Sequence, residues 1–397
     1  MERDILNTDV PELRQLQQRA LIVGFWGLLA GVVGALWDSD QFLRSWLVGF
    51  LFCLGLSLGS LGLLMLQHLS GGQWGLVSRR VWEASARTLP IVALFFVPIL
   101  FGMPKLFLWA RPEAVQGDAV LLAKAPYLNV QFFTIRAVVY FALWMVGAWL
   151  LNKWSAGQDR GEIGVTPADS VRFRALSAPG LLVLTLTITF ASVDWIMSLD
   201  PHWYSTIFGL LTLVGCGLSA LALAITVLSM LARTQPLAST LVPRHFHDLG
   251  KLMLAFVMLW AYLSFSQFLI IWSGNLPEEI PWYIERVRGA WAPVSLLLVV
   301  GHFALPFALL LSRDLKRRPS LLATIAAAVL VMRIVDTIWL VEPNFERHGF
   351  PIHWMDLALP LGLAGVWVFV FVRQLRGRAL LPFNDPYFKE AFAHEAH

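Results

Sequence analysis

The chain has 397 residues, of which 57% are apolar, 14% charged and 13% aromatic, with 18 tryptophans and a formal net charge of +4. Soluble domains carry about 25% Asp, Glu, Lys and Arg, so this composition excludes an ordinary soluble protein. The basic residues lie between apolar runs rather than along one face, which argues against nucleic acid as a partner and makes them determinants of membrane topology.

Apolar stretches long enough for a bilayer core and bounded by charge, Pro or Gly predict ten helices. In chain order they cover 18–37, 43–67, 80–102, 128–152, 174–198, 202–231, 248–273, 288–312, 319–340 and 354–375. The expected fold class is therefore an all-α integral membrane protein: an N-terminal segment over 1–17, a ten-helix domain over 18–376 and a C-terminal tail over 377–397. The longest outer connection is 103–127, with Pro104, Pro112 and Pro126. The first 19 residues hold Glu2, Asp4, Asp9 and Glu12 and no short apolar core before a cleavage site, so a signal peptide is not expected. Placing the N-terminus inside puts 20 Lys and Arg on inner segments and seven on outer loops, a positive-inside bias that predicts both termini in the cytoplasm. Trp37, Trp46, Trp109, Trp203, Trp272, Trp282, Trp291, Trp339 and Trp354 fall near the outer interface, as an aromatic belt requires.

The fifth predicted helix ends in Val193-Asp194-Trp195-Ile196 with Asp200-Pro201 following, and the ninth in Val335-Asp336-Thr337-Ile338 with Glu342-Pro343. The shared V-D-x-I-x-x-x-[DE]-P pattern recurs 142 residues apart on two helices that run in the same direction. It suggests a parallel duplication, with a first bundle over 43–198, a second over 202–340, and the first and tenth helices flanking them. His353-Trp354 opening the tenth helix echoes His202-Trp203 opening the sixth. Gly55, Gly59 and Gly62 in the second helix, with Gly209, Gly215 and Gly217 in the sixth, permit close packing.

Ionisable groups inside membrane helices cost about 2.5–3.5 kcal/mol each on insertion scales and need a partner or a water-filled cavity. Glu83 and Arg87 are spaced i, i+4, as for a pair on one helix face; His247, Asp248 and Lys251 cluster at the inner mouth of the seventh helix, either as a solvated helix start or as a proton entry. Arg136 and Asp194 lie at comparable depths on neighbouring helices, as a buried pair or a quinone-binding pair. Arg333 and Asp336 can pair with each other or with Gln267. His302 alone lies near mid-membrane, as a proton relay or a helix contact; one histidine cannot make the bis-histidine site of a membrane haem b. Tyr140, Thr185, Thr187, Thr189, Tyr262, Ser264 and Ser266 supply hydroxyls for a proton path or for interhelical hydrogen bonds. Cys53 and Cys216 both sit in apolar runs, which leaves no cysteine framework for an iron–sulfur centre or structural zinc and assigns no metal to this chain.

The stretch from Ala191 to Gly209, A-S-V-D-W-I-M-S-L-D-P-H-W-Y-S-T-I-F-G, resembles a signature of the F-type membrane subunit of bacterial alternative complex III, in the polysulfide-reductase-type (NrfD-like) family. His247-Asp248-Leu249-Gly250-Lys251, the A-Y-L-S-F-S-Q-F run from Ala261, Asn275-Leu276-Pro277-Glu278-Glu279 and the tail motif Leu381-Pro382-Phe383-Asn384-Asp385-Pro386 extend the resemblance over almost the whole chain. It implies the ten-helix, two-bundle architecture and a multi-pass place in the bacterial inner membrane. It also implies an assembly that oxidises quinol and passes electrons through partner iron–sulfur and c-haem subunits to a soluble acceptor such as cytochrome c or a copper protein. A sister C-type subunit and the lipid bilayer are the other implied neighbours. In that sister subunit a histidine one to two turns before the equivalent of Asp194 takes part in quinol binding; Thr185 to Thr189 stand there in this chain, which argues against quinol oxidation by this subunit. The expectation is a chain not catalytic by itself, binding no cofactor of its own, that contributes a proton path and scaffold. The path would enter near His247, Asp248 and Lys251, cross by Tyr262 and His302 and leave by Arg333 and Asp336, with Glu83, Arg87 and Tyr140 as further candidates. A purely structural subunit, a second quinone-binding subunit and a stand-alone transporter are the alternatives.

Overall fold

The computed structural model describes residues 10–345 and 353–388. The protein is an all-α membrane protein: among the described residues ten helices are long and apolar enough to cross a bilayer. They are α1 (Pro11–Ala35), α2 (Ser39–Ser70), α3 (Gln73–Phe101), α4 (Val130–Asp159), α5 (Val171–Trp195), α6 (Phe208–Leu231), α7 (Pro243–Gly274), α8 (Gly289–Leu311), α9 (Pro319–Val341) and α10 (Met355–Arg376). Ten crossings bring Pro11 and Arg376 to one face, the terminal face. Several helices extend beyond their predicted apolar cores: α1 begins at Pro11 rather than at 18, with proline in its first turn, where the missing N–H has no intrahelical use. The predicted sixth helix is shorter than expected. It starts at Phe208, because Pro201 and the buried Trp203 hold residues 200–207 in a turn. His202-Trp203 therefore lies in a loop, whereas His353-Trp354 abuts α10, and the two do not open their helices alike.

Two helices are interrupted. The first segment of α3 ends at Ala86 and the helix resumes at Leu89, with Pro90 in its new first turn. In α8, residues Leu298–Ala304 widen into a π-helix, and the amide of Leu305 reaches the Val300 carbonyl five residues back. Pro306 supplies the reason, since it has no N–H to donate to the His302 carbonyl and its ring crowds that turn.

The centre of the molecule is the contact of α2 with α6, whose apolar windows are 83% and 72% buried; no other helix exceeds 56%. Gly59 lets the α6 backbone at Cys216 lie directly on α2, an approach any Cβ would block. Around this axis α2 packs with α3 and α5, and α5 with α4, while α6 packs with α7 and α9, and α9 with α8. Helices α1 and α10 do not flank the two groups symmetrically: α1 pairs with α10, and α10 lies against α2 and α3. Their contact is backbone on backbone, since a Cβ on Gly27 would stand 2.6 Å from the Gly362 Cα.

The connections opposite the terminal face are folded. Residues 103–124 form short helical turns that bury Phe107, Trp109 and Leu121, and an Ile280–Val287 helix buries Trp282, Tyr283 and Arg286. Four members of the expected aromatic belt, Trp109, Trp203, Trp282 and Trp291, are consequently buried rather than interfacial. Trp203 and Trp282 stack with ring centres 4.3 Å apart and join the two loops.

Candidate functional site

Each bundle carries one buried carboxylate from the repeated pattern, and the two differ in setting. In the first, Arg136 of α4 holds Asp194 of α5 through two parallel hydrogen bonds, Nε to Oδ2 and Nη2 to Oδ1, both 2.8 Å. The Tyr140 hydroxyl donates to Asp194 Oδ2 at 3.0 Å, and Arg136 also donates to the Tyr127 carbonyl at 2.8 Å. The rings of Tyr127 and Phe132 lie 3.9 and 4.5 Å from the guanidinium carbon and shield it. Bidentate arginine–carboxylate pairing is a strong, directional contact. This arrangement is a lock between α4 and α5, and it places Tyr140 with Arg136 and Asp194 rather than on a path through the second bundle.

In the second bundle Arg333 and Asp336 pair within α9. Gln267 is not their partner: it accepts from Ser205 Oγ at 2.8 Å and donates to the Tyr283 hydroxyl at 3.0 Å. The Arg333 guanidinium rests on Gly215 of α6, where any side chain would collide with it. Two spaces meet at Asp336. One is a cavity of about 60 Å³ between the bundles, lined by Trp195, Cys216, Trp260, Arg333, Asp336 and Thr337. One water needs about 10–15 Å³ of such space, while an engineered apolar cavity of about 150 Å³ takes up benzene; this space has room for a few waters and is less than half the volume that accepts an aromatic ring. The other is an apolar cleft of about 610 Å³ on the outer surface of α7, α8 and α9, where Tyr262, Ser264, Gln267, Tyr283, Ser295 and Asp336 supply the polar groups.

His302 is fully buried in the π-helical stretch with its ring centre 4.1 Å from that of Trp260, and neither ring nitrogen has a hydrogen-bond partner. Tyr262 does not bridge to it. Two residues after the inward-facing Trp260, it lies about 200° around the helix, 66% exposed at the mouth of the cleft. His247, Asp248 and Lys251 form a half-exposed cluster at the terminal face, with Lys251 Nζ 3.0 Å and His247 Nδ1 3.9 Å from Asp248 Oδ1. Because α7 starts at Pro243, Asp248 stands in its second turn and is not a cap.

The expected Glu83–Arg87 pair is not formed. Glu83 instead accepts from Arg79 Nε and Arg80 Nη1, each at 2.8 Å, and from Ser155 Oγ at 2.7 Å. Arg87 follows the last residue of the helical segment, and its guanidinium turns to the Gln374 carbonyl at 2.6 Å. Arg80 also pairs with Asp159, and Arg79 with Asp385 of the tail at 2.8 Å. Asn384 donates to the Gln158 and Asp159 carbonyls, so the tail motif docks on this chain's own terminal face.

Three polar contacts were not legible in the sequence, one of them a new set of partners for Gln267. Asp356 in the first turn of α10 accepts from Gln41 Nε2 at 2.7 Å and Ser45 Oγ at 2.5 Å, pinning α10 to α2. Arg286 lies 3.6 Å from the Trp282 ring and donates to the carbonyls of Trp339 and Leu340 at the end of α9. Gln267 and Tyr283, bonded to each other, line the cleft, and Ser205 extends this chain. Only the Arg79/Arg80 spacing to Glu83 was visible as i, i+4 and i, i+3; the rest are long-range contacts. Among the described residues no group of three or more His, Cys, Asp and Glu side chains is placed to hold a metal ion. No protein-family model matches this chain, and no curated protein matches it.

Proposed function

We propose that this chain is a proton-handling and scaffolding membrane subunit of a quinol:electron-acceptor oxidoreductase of the alternative complex III type. In this reading it sits in the bacterial inner membrane with both termini in the cytoplasm. Iron–sulfur and c-haem subunits carry the electrons toward the soluble acceptor, and a sister membrane subunit oxidises quinol. The family part of the reading rests on the motifs around Asp194, His247 and the tail. The proton part rests on one observation, the Asp336 carboxylate beside a water-sized cavity at the centre of the molecule. A carboxylate can accept and release a proton there while Arg333, on the same helix, stabilises its charged form. His302, packed on the Trp260 ring that lines the cavity though not itself in the lining, is a second titratable group for such a relay. Replacing Asp336 by Asn in the reconstituted complex, with proton release per electron as the readout, tests this. The expected result is electron transfer retained and proton release reduced; unchanged release with normal assembly overturns it.

A second reading, a quinone-binding subunit, is favoured by the cleft rather than by Arg136 and Asp194. Those two are enclosed by each other, Tyr140 and Tyr127, whereas the cleft falls within the size range of small-molecule sites, roughly 300–1,000 Å³, with apolar walls and few polar groups. Protection of Tyr262 and Trp260 from lipid-soluble photolabels by added quinone distinguishes this reading.

A further inference from the structure

We propose that a phosphate group, as a phosphomonoester or phosphodiester, binds on the terminal face of the first bundle, at the start of α3. A cavity of about 530 Å³ opens there between the α2–α3 connection, the first turn of α5 and the tail. Its lining includes Gln67, His68, Gly72, Arg174, Asp385 and Tyr387.

Four features converge on this space: an uncapped helix start, an imidazole nitrogen and a guanidinium that suit an anion, and an amide that can turn its NH₂ to one. The connection Gly71-Gly72 has φ of 68° and 96°, a left-handed turn that leaves the start of α3 without a side-chain cap. The amides of Trp74 and Gly75 stand in that first turn, where the helix offers no acceptor and the helix dipole is positive. Gln67, only 5% exposed, packs its side chain on Gly75, and its amide oxygen finds no partner. The amide of Gln67 can turn either its NH₂ or its oxygen to a ligand, and a buried polar group without a partner is costly to leave unmatched. His68 stacks on Phe173 with ring centres 4.8 Å apart and leaves Nε2 without a partner beside the same space. Arg174 supplies the cation: it is exposed and its Nη2 donates to the Tyr387 hydroxyl at 3.0 Å across the mouth. The one carboxylate in the lining, Asp385, is already neutralised by Arg79 at 2.8 Å. A phosphate meets this set: its oxygens accept from Arg174, from the imidazole N–H and from the Gln67 amide turned to present its NH₂, while the uncapped helix start nearby supplies the positive end of a dipole.

The cavity lies at helix ends on one membrane face, the level at which phospholipid phosphates run, so the same chemistry can arrive on a lipid or from solution. The test uses the full purified chain, depleted of lipid in a non-ionic detergent, with thermal midpoint and binding isotherms as readouts. Four probes are added separately: phosphatidylglycerol, glycerol phosphate, inorganic phosphate and diacylglycerol. Stabilisation by phosphatidylglycerol alone identifies a lipid phosphate; stabilisation by glycerol phosphate or inorganic phosphate as well identifies a soluble one. In either case Arg174→Gln, an exposed position that leaves the fold intact, weakens binding about tenfold, and Gln67→Met, which keeps the side-chain volume, weakens it by a smaller factor. Equal stabilisation by diacylglycerol, no stabilisation by any phosphate probe, or undiminished binding in both variants overturns the proposal.

Discussion

Asp194 and Asp336 occupy the same place in a repeated sequence pattern, at the ends of α5 and α9, and their surroundings are opposite. Asp194 is gripped across helices by Arg136, with Tyr140 as a third donor and two aromatic rings over the guanidinium. Asp336 is paired along its own helix by Arg333 and borders both a small cavity between the bundles and a cleft on the outer surface. A carboxylate saturated by a neighbouring helix is a fastener, because losing its charge releases the helix. One paired within its own helix and open to space can change protonation without unpacking two helices. The comparison therefore separates a sealed interhelical pair from a carboxylate that borders open space, although the sequence pattern treats the two alike.

The largest expected effect breaks the fastener. Arg136→Met leaves Asp194 buried and unpaired, which destabilises by about 3–5 kcal/mol; the yield of folded protein and its thermal midpoint should both fall, and Arg136→Met with Asp194→Leu should recover much of the loss. Gly215→Leu comes next. It drives a side chain into the Arg333 guanidinium, an overpacking that costs about 1–3 kcal/mol, and should shift the thermal midpoint less than Arg136→Met while impairing any function that needs the Arg333–Asp336 pair. Tyr140→Phe removes one hydrogen bond to a charged acceptor, about 1.5 kcal/mol. Should it alter proton release as much as Asp336→Asn, the division between the bundles fails.

The smallest effect lies outside the helices, where His202 Nε2 meets Asp118 Oδ2 at 2.6 Å and ties the loop after α3 to the turn before α6. The hydrogen bond from His202 holds the Asp118 carboxyl below its ordinary value of 3.8. Its contribution is therefore present above that pH and is lost as the pH falls through the lowered value. Asp118→Asn should lower the thermal midpoint slightly at pH 5, and the difference from the parent should vanish in stronger acid; a gap that persists there points to shape rather than charge.

The existence of the ten helices was legible because a bilayer imposes a length of apolar sequence on every crossing. The pairing of Arg333 with Asp336 was legible for a similar reason, since i, i+3 spacing on one helix is local geometry. Glu83 shows where such reasoning stops. Arg87 has the right spacing and its amide still reaches the Glu83 carbonyl, but its guanidinium turns to the Gln374 carbonyl of α10, and the arginines one turn earlier take the carboxylate. Tyr262 shows a second limit, because composition reveals that a hydroxyl lies in a helix but not which way it faces.

By itself, then, the sequence determined a ten-helix membrane protein, the repeat that marks Asp194 and Asp336, and the scarcity of ionisable groups within the helices. Tertiary structure decided which of those groups are sealed and which border open space. The reason is physical: burial of a carboxylate depends on side chains that arrive from helices distant in the chain, such as Arg136 on Asp194 across 58 residues and the α6 glycine that admits Arg333. No local spacing encodes those approaches.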